Sequence, residues 1–261
     1  MTAAPGVTGP ALDNVGFDRR TILAAMLGAA TACGGCSARH GAWSKPASHT
    51  IPCADSARTF TVTHAGVEVR CLFAATSGAA CKPGGLAVIL LHGANADASQ
   101  WTDIGLTSVI ECLAAAEQTS AVVAVAPDIG DHSVAPALVF DSVLPAIIDC
   151  FGSAVFGISG ISRGAAAALD CAVDEPTRFR SVGLHSPAIT LSHSLIPEPW
   201  KCWIDIGTDD ALADSATQCA ATLRDSGIDL VEHRWPGSHN RAYWRTHLAD
   251  YIGFHVNAGS S

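Results

Sequence analysis

From Arg58 onward the chain carries two kinds of hydrophobic pattern. The segments 59–64 and 67–73 alternate apolar with polar residues around a turn at Ala65-Gly66, which predicts an antiparallel hairpin with one solvated face. The next segment, 86–91, is apolar at every position, as expected of a strand covered on both faces. Runs of that type recur at 121–126, 154–161, 181–184 and 201–206, and a last strand is expected at 230–235. Helix-like segments separate them at 105–117, 137–150, 163–173, 211–225 and 241–254. Strands alternating with helices imply an α/β fold: a mostly parallel central sheet, begun by the N-terminal hairpin, with helices on both faces.

In a sheet of this kind ligands gather beyond the carboxyl ends of the strands, so those ends are where chemistry is expected. Four of them carry a coherent set: His92-Gly93-Ala94-Asn95-Ala96-Asp97, Ser162, Gly207-Thr208-Asp209-Asp210, and Pro236-Gly237-Ser238-His239-Asn240. Gly160-Ile161-Ser162-Arg163-Gly164 fits G-x-S-x-G at a strand-to-helix corner, where glycines permit the sharp turn that pushes a serine hydroxyl out of the sheet. Ser159 has Gly157 before it but Ile161 where a closing glycine belongs, so it reads as a buried strand serine.

A serine hydroxyl needs a base and an orienting acid. The order Ser162, Asp210, His239 supplies both. Of the adjacent Asp209 and Asp210, the second is preferred because it follows the turn, while Asp209 suits a turn or capping role. His239 is the histidine that lies in a glycine-bearing loop directly after a strand and beyond the acid; His185 and His193 precede the acid and His233 lies within the last strand. Amides for the oxyanion map to Arg163 and Ala94, with Asn95 as the second choice for the latter, and His92 is expected to orient that loop.

The first fifty residues differ in kind. The apolar run 21–32 follows Asp18-Arg19-Arg20 and is too short to cross a bilayer, but it suits an export signal of the twin-arginine type. The chain therefore divides into a signal (1–32), a flexible segment (33–57), an α/β catalytic domain (58–256) and a short tail (257–261). Cleavage before Cys33 would make that residue a lipid anchor. All ten cysteines follow the apolar run, which points to disulfides in an oxidising compartment; none has zinc-site spacing, so no metal or other cofactor is expected. The net charge of −9, with scattered Lys and Arg, argues against a nucleic-acid partner.

The chain resembles the putative-esterase branch of the α/β-hydrolases, which includes S-formylglutathione hydrolases, feruloyl esterases, enterochelin esterases and the mycolyltransferase antigens. The stretches that carry the resemblance are Leu91-His92-Gly93, the Gly160–Gly164 elbow, Arg178-Phe179-Arg180-Ser181-Val182-Gly183-Leu184-His185-Ser186-Pro187, Asp205-Ile206-Gly207-Thr208-Asp209-Asp210, and Trp235-Pro236-Gly237-Ser238-His239-Asn240-Arg241-Ala242-Tyr243-Trp244. It implies Ser162 as nucleophile, Asp210 as acid and His239 as base. In this chain Gly164 is followed by Ala165, and the short connections leave little sequence for a lid domain, so an open site is expected. Trp101, Tyr243, Trp244 and Asn95 are the candidates for contacting substrate. The expected function is an exported serine carboxylic-ester hydrolase acting on a small-molecule ester through an acyl-enzyme. Transfer of the acyl group to a sugar hydroxyl and a non-catalytic binding role are the alternatives.

Overall fold

The computed structural model describes residues 58–76, 85–115, 121–191 and 199–259. The stretch expected as a signal, Cys33 with the segment after it, and His193 lie outside these residues.

Among the described residues eight strands form one sheet: β1 (Arg58–His64), β2 (Val67–Ala75), β3 (Leu86–Leu91), β4 (Val122–Pro127), β5 (Val155–Ile161), β6 (Ser181–His185), β7 (Lys201–Gly207) and β8 (Asp229–Trp235). Their order across the sheet is β1-β2-β4-β3-β5-β6-β7-β8. The β1–β2 and β2–β4 pairs are antiparallel and every later pair is parallel. This is the fold expected from the sequence, and its reason is visible in β3. All six residues of β3 are buried, yet Ala87, Ile89 and Leu91 enter the core on one face while Leu86, Val88 and Leu90 enter the core on the other.

Among the described residues six helices cover those two faces: α1 (Ser99–Asp103), α2 (Leu106–Ala115), α3 (His132–Phe151), α4 (Arg163–Asp174), α5 (Ala213–Asp225) and α6 (Arg241–Gly259). Helices α3, α4 and α5 pack on one face through residues such as Leu138, Ala168 and Leu223. Helices α1, α2 and α6 pack on the other through Trp101, Ile110, Leu248 and Ile252. Helix α3 opens with a 3₁₀ turn at His132–Val134, widens into a π turn at Val139–Val143 and stops at Gly152, which takes the left-handed conformation. It is long and apolar enough to suit a membrane span by composition, but half of it is buried as a core helix of the sheet. Helix α6 continues to Gly259, into the stretch expected as a tail.

For the described cysteines the structure corrects an expectation. Cys71, Cys171, Cys202 and Cys219 are buried thiols and Cys112 is an exposed one, none of them in a disulfide. The four buried side chains fill the core beside the sheet as small hydrophobes, a role that free cysteine serves without an oxidising compartment. Burial pushes the Cys71, Cys171 and Cys219 thiols up to about 12, so they are neutral and unreactive in the fold. Cys33, Cys36, Cys53 and Cys81 lie outside the described residues.

Candidate active site

The corner between β5 and α4 is tight for a steric reason. A Cβ at Gly160 would sit 2.0 Å from the Gly164 carbonyl oxygen, and one at Gly164 would sit 2.4 Å from that of Leu91. Only glycine fits at either position, so strand, turn and helix close on one another with backbone in contact. Ser162, between them, has φ of 57° and ψ of −116°, a conformation that costs energy for any residue with a side chain. The turn lifts its hydroxyl to the carboxyl edge of the sheet.

Two other strand ends meet that hydroxyl. The Nε2 of His239, in the loop between β8 and α6, lies 3.0 Å from Ser162 Oγ, and its Nδ1 lies 2.8 Å from Asp210 Oδ2 at the end of β7. The Asp210 side chain is fully buried and its second oxygen accepts the Leu212 amide, whereas the His239 ring is 32% exposed. Asp209 is solvent-exposed, and its amide donates to the Gly237 carbonyl, tying the β7 turn to the histidine loop. A chain of serine, imidazole and carboxylate therefore runs from the surface inward.

The peptides beside Ser162 are also oriented. His92 donates from Nδ1 to the Gly93 carbonyl and accepts the Ile129 amide at Nε2, each at 2.9 Å, while Gln100 Oε1 accepts the Gly93 amide at 2.7 Å. Burial lowers the His92 pKa, in keeping with that neutral tautomer. Because a trans peptide points its C=O and N–H in opposite directions, holding the Gly93 carbonyl on His92 turns the Ala94 N–H the other way. The Ser162 carbonyl likewise accepts the Ala165 and Ala188 amides, which turns the Arg163 N–H outward. Among the described residues neither the Ala94 nor the Arg163 amide donates a hydrogen bond within the protein. Asn95, exposed and at φ of 59°, follows on the same loop.

A second serine, histidine and aspartate chain lies deeper. Ser159 Oγ is 3.1 Å from His185 Nε2, and His185 Nδ1 is 2.7 Å from Asp205 Oδ1. All three residues are 0–1% exposed, so no substrate can reach Ser159. His255 extends the chain, with Nε2 at 2.7 Å from Ser159 Oγ and Nδ1 at 2.7 Å from Ser181 Oγ.

Residues 142–212 match the model of the family described as "Putative esterase", a stretch that includes Ser162 and Asp210. Over that stretch the chain is similar to the putative esterases. No curated protein matches the chain. Among solved structures, a ferulic acid esterase superposes with a TM-score of 0.67 at 16% identity, over 78% of this chain and 98% of its own. An S-formylglutathione hydrolase from Staphylococcus aureus superposes with a TM-score of 0.60 at 14% identity, over 77% and 98%. The feruloyl esterase module from Clostridium thermocellum, in complex with sinapinate, gives 0.62 at 15% identity, over 81% and 92%.

The fold brings Ser162, Asp210, His239, Ala94 and Arg163 to one edge of its sheet. Trp101, Tyr243 and Trp244 are not on an open pocket wall. They are 0–5% exposed and belong to the core under α6, although the edge of Trp244 reaches the His239 ring at a centroid distance of 5.1 Å. Gln100, Asp205 and His255 escaped sequence reasoning. A polar residue amid an apolar run was the available signal for Asp205, and a polar one opening a short helix that for Gln100.

Proposed function

We propose that this protein is a hydrolase that cleaves carboxylic esters with Ser162 as nucleophile, His239 as general base and acid, and Asp210 as the carboxylate that orients the imidazole. One observation carries the reading: the continuous hydrogen-bonded chain from Ser162 Oγ through His239 to Asp210, open to solvent at the serine end.

In the acylation step Ser162 Oγ bonds to the ester carbonyl carbon as its proton passes to His239 Nε2. Buried Asp210 holds Nδ1–H and stabilises the imidazolium. The carbonyl oxygen becomes an oxyanion, for which the unengaged Ala94 and Arg163 amides are the donors at hand. The bond to the alkoxy oxygen then breaks, His239 returns its proton to that oxygen, and the alcohol leaves an acyl group on Ser162. Water, deprotonated by His239, repeats the sequence and frees the acid and the serine. Ser162 is preferred over Ser159 as nucleophile because Ser159 has partners of the same kind, His185 and Asp205, but no solvent access.

Export belongs to the same proposal. It rests on Asp18-Arg19-Arg20 before the apolar run 21–32, and the buried thiols do not require an oxidising destination.

The test is hydrolysis of p-nitrophenyl esters from acetate to palmitate by the full chain beside Ser162→Ala. Activity confined to the first protein is expected. Equal rates in both would remove Ser162 from the mechanism.

A further inference from the structure

The buried carboxylate of Asp205 accepts four hydrogen bonds. His185 Nδ1 (2.7 Å) and Trp203 Nε1 (2.9 Å) donate to Oδ1, and the hydroxyls of Tyr243 and Tyr251 (each 2.9 Å) donate to Oδ2. That fills the acceptor capacity of an ionised carboxylate, so the charge is compensated although no water reaches it. The donors come from β6, β7 and α6, which makes Asp205 one of the points where the final helix is fastened to the sheet. Burial and the neighbouring carboxylate push both phenols up, so both remain donors.

The two tyrosines share one oxygen but face different surroundings. Tyr251 lies about three turns into α6, with its ring stacked on His185 at 3.6 Å. Tyr243 lies in the first turn and its ring presses on the loop that carries His239. At Gly237, where φ is 145°, a Cβ would sit 2.6 Å from Tyr243 Cδ2. The other side of that loop is closed by β7, since a Cβ at Gly207 would sit 2.2 Å from the Gly237 carbonyl oxygen. The loop is thus held between the end of β7 and a ring whose far end is fixed by Asp205.

We propose that Tyr243, anchored through its hydroxyl to Asp205, is a positioning residue for His239: it sets the imidazole against Ser162 and Asp210 by bracing the loop at Gly237. This rests on the reading of Ser162 and His239 as nucleophile and base. Tyr251 anchors to the same oxygen and has no part in the bracing.

Tyr243→Phe and Tyr251→Phe each delete one hydroxyl from Asp205 Oδ2, so their losses in melting temperature should be alike. The comparison reads kcat and KM on a p-nitrophenyl ester, the rate of inactivation by a fluorophosphonate, and the low-field proton resonance of His239 Nδ1–H, assigned by its loss in His239→Ala. The expected result is that Tyr243→Phe lowers kcat and the inactivation rate about tenfold to a hundredfold with KM unchanged, the scale of a small misplacement, and displaces the His239 resonance. Tyr251→Phe should leave all three within twofold of the parent. Equal effects of the two variants, no effect of Tyr243→Phe, or failure of Tyr243→Phe alone to fold would overturn the proposal. If the parent hydrolyses no ester and resists the fluorophosphonate, the esterase reading fails separately, and the His239 resonance in the two variants still decides the positioning role.

Discussion

Ser159 and Ser162 stand three residues apart at the end of β5, and each oxygen faces an imidazole nitrogen, at 3.1 Å for His185 and 3.0 Å for His239. The turn at Ser162 separates their fates. Before it the chain is still strand, packed between two helical layers; after it the side chain is at the sheet edge, beside a ring that solvent reaches.

The first prediction separates the two serines. Ser162→Ala should lower kcat by about 10⁴-fold or more while leaving the melting temperature close to that of the parent. Ser159→Ala should do the reverse: activity stays within a few-fold, and stability falls by about 1–3 kcal/mol because two buried imidazole nitrogens lose their shared partner. Chemical denaturation and ester hydrolysis on the same preparations check both.

The adjacent aspartates offer a second contrast. Asp210→Asn keeps the shape but disturbs the tautomer of His239, and a loss of about 10⁴-fold in kcat is expected. Asp209→Asn alters an exposed side chain and should change kcat less than twofold. A large loss on Asp209→Asn would place the acid at the wrong position.

Acid should weaken the fold through His255. Burial, together with the neighbouring His185, lowers its pKa from 6.5 to about 3. The unfolded chain therefore takes up this proton near pH 6.5 while the folded one refuses it until about pH 3. The contribution to stability is complete above 6.5 and declines as pH falls through that window, at up to about 1.4 kcal/mol per pH unit. Urea midpoints at pH 7.5, 6, 5 and 4 measure the decline. An imidazole resonance of His255 that titrates near pH 6.5 in the folded protein would contradict it.

Buried thiols should be shielded thiols. In the native protein at pH 8, iodoacetamide should leave Cys71, Cys171, Cys202 and Cys219 unmodified and label Cys112; all five should react in denaturant. Peptide mapping by mass gives the answer residue by residue.

Much of this was legible before any coordinates. The unbroken apolar run of β3 announced a strand covered on both faces, and the alternation of β1 and β2 announced the hairpin. Gly160 and Gly164 flanking Ser162 marked the elbow, because a turn in which backbone touches backbone admits no other residue. The cysteines misled: their number suggested disulfides, yet Cys71, Cys171, Cys202 and Cys219 pack as hydrophobes, and composition does not distinguish a bridged sulfur from a buried one. Trp101, Tyr243 and Trp244 misled in the same way, since an aromatic near a strand end reads alike whether it faces substrate or core.

By itself, then, the sequence determined the order of strands and helices, the sharp corner at Ser162 and the succession Ser162, Asp210, His239, all of which follow from local steric and hydrophobic patterns. Tertiary structure alone decided that Asp210 rather than Asp209 turns inward, that Ser159 is sealed from solvent, and that Asp205 gathers donors from β6, β7 and α6. Those outcomes depend on which side chains meet across separations of 20 to 96 residues, and such meetings are fixed by how α6 seats on the sheet, a fact that no local pattern encodes.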